Sequence, residues 1–377
     1  WTPHDFSGRF DGDNHKIYNI SISRDGYCGF VAALNGTIQN LYLGTSDGEA
    51  YDGKSEYVYT PDATAGSWVH MGGVAASINN GALIKNVTNF VKISTPDSDG
   101  QAKVCMGGLV SMGTGTGEIQ DCVNYGEIVC DASVGVVSGA SNHQIGGIMC
   151  KTDGTVTITN CKNYGNISAK GAYVDNVGGI MANPNGNSTD KAVKTHIKGC
   201  YNYGNITITK TTSAKTPMAL GGIVGKLTGA TVEDCHNEGN ISSVCDVLTG
   251  IGGVVGIHKL DYESKITGCS NGVQNKADKG ILTFNPAGST QQMIIGGILG
   301  YSEDYKGKLT VQSCTNYAPI STSYNVMRNI GGIVGAVGKV TNADGEKSSV
   351  ELLIDKCHNY GAVTIAGTSS FNQRHIG

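Results

Sequence analysis

Residues 220–241, LGGIVGKLTGATVEDCHNEGNI, decide the reading of this chain, because they are one clean copy of a unit that recurs along nearly all of it. The unit has two landmarks. One is an apolar residue, then Gly-Gly, then two or three apolar or small residues. The other is I/V-x-x-C-x-N-x-G-x-I, whose opening residue falls at Ile17, Ile38, Ile84, Ile119, Ile158, Ile197, Val232, Ile266, Val311 and Ile354. The next core residue comes three positions later, at Ile20, Leu41 and Val87, then at Cys122, Cys161, Cys200, Cys235, Cys269, Cys314 and Cys357. A step of three breaks strand alternation, so a bend or bulge is expected inside it, and Asp121, Asn160 and Asp234 there are turn formers. After the bend, Cys122, Asn124, Gly126 and Ile128 follow in steps of two, the mark of a strand with one face inward.

The glycine landmark recurs at Gly72-Gly73, Gly107-Gly108, Gly146-Gly147, Gly178-Gly179, Gly221-Gly222, Gly252-Gly253, Gly296-Gly297 and Gly331-Gly332. Ile38 follows Ile17 by only 21 positions, yet Gly29-Phe30-Val31-Ala32 already lies between them, so 21 residues read as one complete coil. Longer copies then carry loops, the largest at 45–67, 127–144, 207–219 and 275–293, expected on one side. A smaller pair, 183–196 and 336–351, leaves from a second edge. Short strands without helical periodicity cannot bury an apolar face alone, and stacking copies solves this. The expected fold is all-β: one right-handed parallel β-helix (β-solenoid) of about ten coils over residues 1–377, its handedness following that of parallel crossovers. Asn89, Asn124, Asn163, Asn202, Asn237, Asn271, Asn316 and Asn359 should stack as a ladder. A leucine-rich-repeat-like solenoid shares the L-x-x-L-x-L spacing but lacks a Gly-Gly strand. The chain opens on Trp1 and closes on His375-Ile376-Gly377, which looks like the start of another copy, so it reads as a piece of a longer protein.

Composition agrees with this class. The 56 glycines against 7 prolines suit tight β turns, and a net charge of -4 with scattered lysines gives no nucleic-acid footprint. The longest mostly apolar run, 293–300, is too short to span a bilayer, so no direct membrane insertion is expected. Seven of the 12 cysteines share one repeat position with Val87, Leu41 and Ile20, as a small buried hydrophobe would. They are expected to be free and buried, which leaves the redox compartment open.

Gly222-Ile223-Val224-Gly225, Gly253-Val254-Val255-Gly256, Gly297-Ile298-Leu299-Gly300 and Gly332-Ile333-Val334-Gly335 resemble the GLUG motif of bacterial surface and secreted proteins. Phe6-Ser7-Gly8-Arg9-Phe10-Asp11-Gly12 with Ile17-Tyr18-Asn19-Ile20 resembles the segment that often precedes it. Earlier copies end in Ala76, Ser111, Cys150 and Ala182 instead of glycine, all small. The resemblance implies an extracellular or cell-surface bacterial setting, shared with adhesin-like proteins and with non-catalytic regions of immunoglobulin A peptidases.

Catalytic motifs are poorly supported. Residues 48–55, GEAYDGKS, fit the phosphate-loop pattern and 44–48 the nucleophile elbow, but Glu56-Tyr57-Val58-Tyr59 after them is strand-like where a helix is required. None of the nine histidines lies in H-E-x-x-H. Asp11-Gly12-Asp13-Asn14 and Asp97-Ser98-Asp99-Gly100 offer oxygen ligands without the distal glutamate of a calcium loop. No cofactor, metal or catalytic set is expected. Aromatic residues are the better lead. Tyr125, Tyr164 and Tyr203, with Phe90, Tyr317 and Tyr360, follow the ladder asparagine and should point outward, either stacking on each other or lying against a ligand. Tyr51, Tyr57, Tyr59 and Trp68 crowd the first large insertion, which is the favoured binding loop. The expected function is a non-catalytic binding or adhesion module for a glycan or a host or surface protein. The alternatives are a carbohydrate-active enzyme, lyase or hydrolase, and a passive spacer.

Overall fold

The computed structural model describes residues 1–24, 26–60, 68–95, 103–131, 143–170, 174–184, 195–210, 218–245, 249–259, 263–286, 293–303, 308–322, 328–338, 351–365 and 374–376. Among these the regular structure is all β, and strands pair in parallel from one coil to the next. Each coil visits four sheets in turn. In the coil around Cys161, sheet I holds Thr155–Thr159 and Lys162–Asn163, sheet II Ile167–Lys170, sheet III Val174–Gly178 and sheet IV Met181–Asn183. Sheets II and III each have ten strands, so the chain is a right-handed parallel β-helix of ten coils.

The step of three is closed by one residue in the left-handed region. Asn40, Asn86, Asp121, Asn160, Gly199, Asp234, Gly268, Ser313 and Lys356 all have φ between 50° and 64°. Asn, Asp and Gly tolerate this backbone best, which explains their prevalence there. Some of these side chains also bond along the axis, Asn86 Nδ2 to Asn40 Oδ1 at 2.9 Å and Asn160 Nδ2 to Asp121 Oδ1 at 3.2 Å. Just inside the bend, each ladder thiol reaches two carbonyls; Cys161 Sγ lies 3.3 Å from Thr159 O and 3.5 Å from Ile119 O. Six of the seven ladder cysteines are free and buried, and Cys357, on the tenth coil, is free and half-buried.

Two residues further on, the asparagines form the expected ladder. Nδ2 of Asn89, Asn124, Asn163, Asn202, Asn237, Asn271 and Asn316 each donates to Oδ1 of the next, at 2.7–2.9 Å. The other amide hydrogen reaches a backbone carbonyl of the same coil, as from Asn163 to Gly165 O at 2.9 Å. Buried amides left unpaired would be costly, and here both hydrogens are used. The second glycine of each Gly-Gly pair lies directly against this ladder. A Cβ on Gly73 would come within 2.6 Å of Asn89 Nδ2, and one on Gly222 would overlap Asn237 and the carbonyl of Gly253. The two sequence landmarks are therefore the two sides of one contact.

The first coil departs from the sequence reading. Phe10 pairs with Ile38, and Ile17 pairs with Leu43, so Ile17 stands in the ladder column and not in the column of Ile38. Asp13 and Asn14, both with positive φ, lie in the irregular stretch between Asp11 and His15. The interval of 21 residues is thus not a coil, although the coil count is unchanged. Insertion 45–67 also divides: Glu56–Tyr59 is a strand of sheet II, paired with Ser21–Arg24 and Lys92–Thr95. Loop 275–293 divides in the same way around Leu282–Pro286. Residues 61–67, 132–142, 185–194, 211–217, 287–292 and 339–350 of the expected loops lie outside the described residues.

Sheets III and IV meet at the Gly-Gly corner and also pack face to face on the side turned away from the ladder. A Cβ on Gly225 would lie 2.8 Å from the backbone of Val177, and one on Gly256 would lie 2.5 Å from Leu220 N. This is why the fourth GLUG position is small. We call this contact the seam.

Candidate functional site

The structure separates the expected site residues into three places. Tyr51 is 41% exposed on the turn between sheets I and II. That turn is held by Asp47, which accepts N–H bonds from Ala50 (3.0 Å) and Glu49 (2.8 Å) and one from the Thr45 hydroxyl (2.9 Å), and these hold its pKa at about 2. Asp52 accepts from the amides of Lys54, Ser55 and Asn19 at 2.7–2.8 Å and from the Ser55 hydroxyl at 2.5 Å. The phosphate-loop serine is thus engaged in the turn, and the chain continues as a strand.

Tyr57 and Tyr59 correct the expectation of a binding loop: they are 0% and 2% exposed, inside sheet II. Tyr57 pairs with Ile22 and Ile93, occupying the apolar position of the I-x-I strand. Alternation in Glu56-Tyr57-Val58-Tyr59 was the signal for this. Tyr125, Tyr164 and Tyr203 point outward, but they stack on one another and on Phe90 with centroids 4.5–4.8 Å apart and planes within 11°. Stacked rings cover each other's faces, so the stripe offers edges and hydroxyls where a sugar ring would need an open face. Burial, with Tyr164 alongside, raises the Tyr203 hydroxyl to about 12.

Trp68 lies at the seam, at the start of the sheet III strand Trp68–Gly72, and gathers a cluster that its sequence neighbours did not reveal. Its ring lies 6.2 Å from that of His70, which stacks in turn on Tyr27 at 5.3 Å. Lys103, its partner in the next strand, places Nζ 5.6 Å from the indole centroid. Lys151 reaches the same ring from sheet IV, at 4.2 Å. Trp68 and Lys103 are partly exposed, and Lys151 is nearly buried. Burial, above all, pushes the Lys151 pKa down; Asp153 pulls it up, and the charge of Lys103 adds a smaller push down.

Beside this cluster, His70 Nδ1 lies 3.1 Å from Ser111 Oγ, and that hydroxyl donates to Cys105 O at 2.9 Å. With its hydrogen committed to a carbonyl, Ser111 accepts from His70, which fixes the Nδ1–H tautomer. Burial, then Lys151, lowers the His70 pKa to about 4. A fully buried serine whose proton points away from the histidine is not an activated nucleophile. Cys105 and Cys150 form a disulfide across the seam, joining consecutive coils with Cα atoms 5.8 Å apart. Sequence reasoning assigned neither cysteine a partner, because both lie outside the ladder position.

The calcium reading of Asp11 meets an occupied carboxylate, which accepts from Asn40 Nδ2 at 2.9 Å and Gln39 Nε2 at 2.6 Å. Asp97-Ser98-Asp99-Gly100 lies outside the described residues. Among the described residues no group of three or more His, Cys, Asp or Glu side chains is placed to hold a metal ion.

No curated protein matches the chain. Among solved structures, it is similar to a protein of Bacteroides ovatus described as a candidate immunoglobulin A1 protease, with 20% identity and a TM-score of 0.42. That likeness covers 62% of this chain and 61% of the other, and at this level says nothing of activity. Residues 216–242, the copy from which the sequence reading starts, match the GLUG motif, and the chain carries that motif on a right-handed parallel β-helix.

Proposed function

We propose that the chain is a non-catalytic binding module of a bacterial surface or secreted protein, a rigid rod that presents side chains at its seam and turns. The observation that carries this reading is the Trp68–Lys103–Lys151–Tyr27 cluster. It stands on a scaffold whose remaining repeat positions are occupied by stacking. The asparagine ladder and the bends hold the coils in register where this cluster is absent, and Trp and Tyr are enriched at recognition hot spots. The GLUG motif at 216–242 and the Cys105–Cys150 disulfide, a bond that persists in oxidising compartments, support the extracellular placement.

The test is to present the chain to an array of glycans and host matrix proteins, and to incubate it with polysaccharides and immunoglobulin A. Saturable binding without product supports the reading. Turnover of a polysaccharide or of the antibody hinge overturns it in favour of an enzyme.

A further inference from the structure

We propose that Lys103, Lys151 and the Trp68 indole form a subsite for the carboxylate or sulfate group of an acidic glycan. This rests on the binding-module reading and names its ligand class. Two ammonium groups converge on one ring, at 4.2 and 5.6 Å from its centroid, and neither has an ion-pair or hydrogen-bond partner among the described residues. Other lysines among the described residues are paired with carboxylates. Lys92 meets Glu56 at 3.4 Å, Lys198 meets Glu233 at 2.8 Å, and Lys259 meets Glu303 at 3.1 Å. These three lysines are answered by carboxylates of neighbouring coils; Lys103 and Lys151 are not.

Lys151 has lost most of its water, and the indole quadrupole replaces only part of that solvation. Lys103 brings a second ammonium to the same ring. An oxyanion entering between the two ammoniums makes up for the lost solvation, and a bare solvated surface lysine would gain much less. Lys151 forms the floor of the subsite, with Lys103 and Trp68 at its mouth, where they are partly exposed. A glycan fits better than an acidic peptide. His70 and Met71 in the one strand, and Cys105 to Gly107 in the other, are paired on both sides within sheet III, so an extended peptide finds only two-residue strand starts to pair with. A sugar needs none: its anionic group takes the lysines and its C–H face takes an aromatic ring.

Trp68 gives a local readout once Trp1, the second of the two tryptophans, which stacks on Phe30, is replaced. In a Trp1→Phe background, indole fluorescence and calorimetry would follow titration with a tetragalacturonate, a heparin-derived tetrasaccharide, cellotetraose and a hexaglutamate peptide. The two acidic sugars separate carboxylate from sulfate as the preferred anion. The expected result is binding of at least one of them with a change in Trp68 emission. Lys151→Met and Lys103→Met should each weaken it by about tenfold or more, with thermal unfolding near that of the parent.

Equal affinity in Lys151→Met, cellotetraose bound as tightly as the acidic sugars, or binding of the peptide alone overturns the subsite. If array ligands still bind and are indifferent to both lysine changes, the subsite fails while the module reading stands. If nothing binds in either experiment, both fail.

Discussion

The two sides of the sheet III strand obey different rules. On the inner side, the second glycine of every Gly-Gly pair from Gly73 to Gly332 faces a ladder asparagine, and the combination does not vary over eight coils. On the outer side, the position two residues before the first glycine runs His70, Cys105, Gln144, Asn176, Ala219, Gly250, Ile294 and Asn329. Burial is not the difference, since both sides lie within the protein. Each inner asparagine bonds to the coils on either side of it, so one replacement orphans two neighbours. An outer residue meets mainly one opposite number in sheet IV. It can change if that partner changes too: His70 with Ser111, Cys105 with Cys150, Gly250 with Ile257.

The sharpest way to break this contrast is Gly222→Val, which drives a branched side chain into Asn237 and the Gly253 carbonyl. A loss of more than about 3 kcal/mol, or failure to fold, is expected in urea denaturation. Tyr57→Ala tests burial in sheet II and should cost about 3–5 kcal/mol by the same measurement, far beyond the effect of trimming an exposed loop tyrosine. Asn237→Leu leaves Asn202 Nδ2 and Asn271 Oδ1 without ladder partners. Each such orphan costs about 1–3 kcal/mol, so the urea midpoint should fall clearly while the m-value stays constant.

A smaller effect comes from pH. Burial holds the folded pKa of His70 and of His258 at about 4, against 6.5 ordinarily. The unfolded chain therefore binds more protons between these values, so stability is complete above about pH 6.5 and declines as pH falls toward 4. Melting temperatures at pH 7.5, 6 and 4.5 would show the decline, and His70→Gln should flatten part of it. The smallest effect is expected on the outward stripe. Tyr164→Ala removes two ring contacts on the surface and should cost about 1 kcal/mol, a drop in melting temperature of only a few degrees.

Repetition made the scaffold legible. The seven cysteines, the eight asparagines and the paired glycines each recur in step, and a residue type that recurs in step must meet its own copies when coils stack. What repetition could not supply was any contact made once. Trp68 is joined to Lys151 from a different sheet two coils away, and Cys105 to Cys150 across the seam. Neither pair shares a repeat position.

The first coil shows the same limit from the other side. Ile17-Tyr18-Asn19-Ile20 matches the spacing of the second landmark, yet parallel pairing with 37–43 places Phe10 beside Ile38 and Ile17 beside Leu43. Register is a property of two strands together, and one strand's pattern cannot fix it. By itself, then, the sequence determined the solenoid, its coil count, the ladder and the bend, because these depend on periodic stacking of like on like. Tertiary structure alone decided the register of the first coil, the burial of Tyr57 and Tyr59, and the gathering of cations around Trp68, because each depends on which unlike residues face one another across sheets.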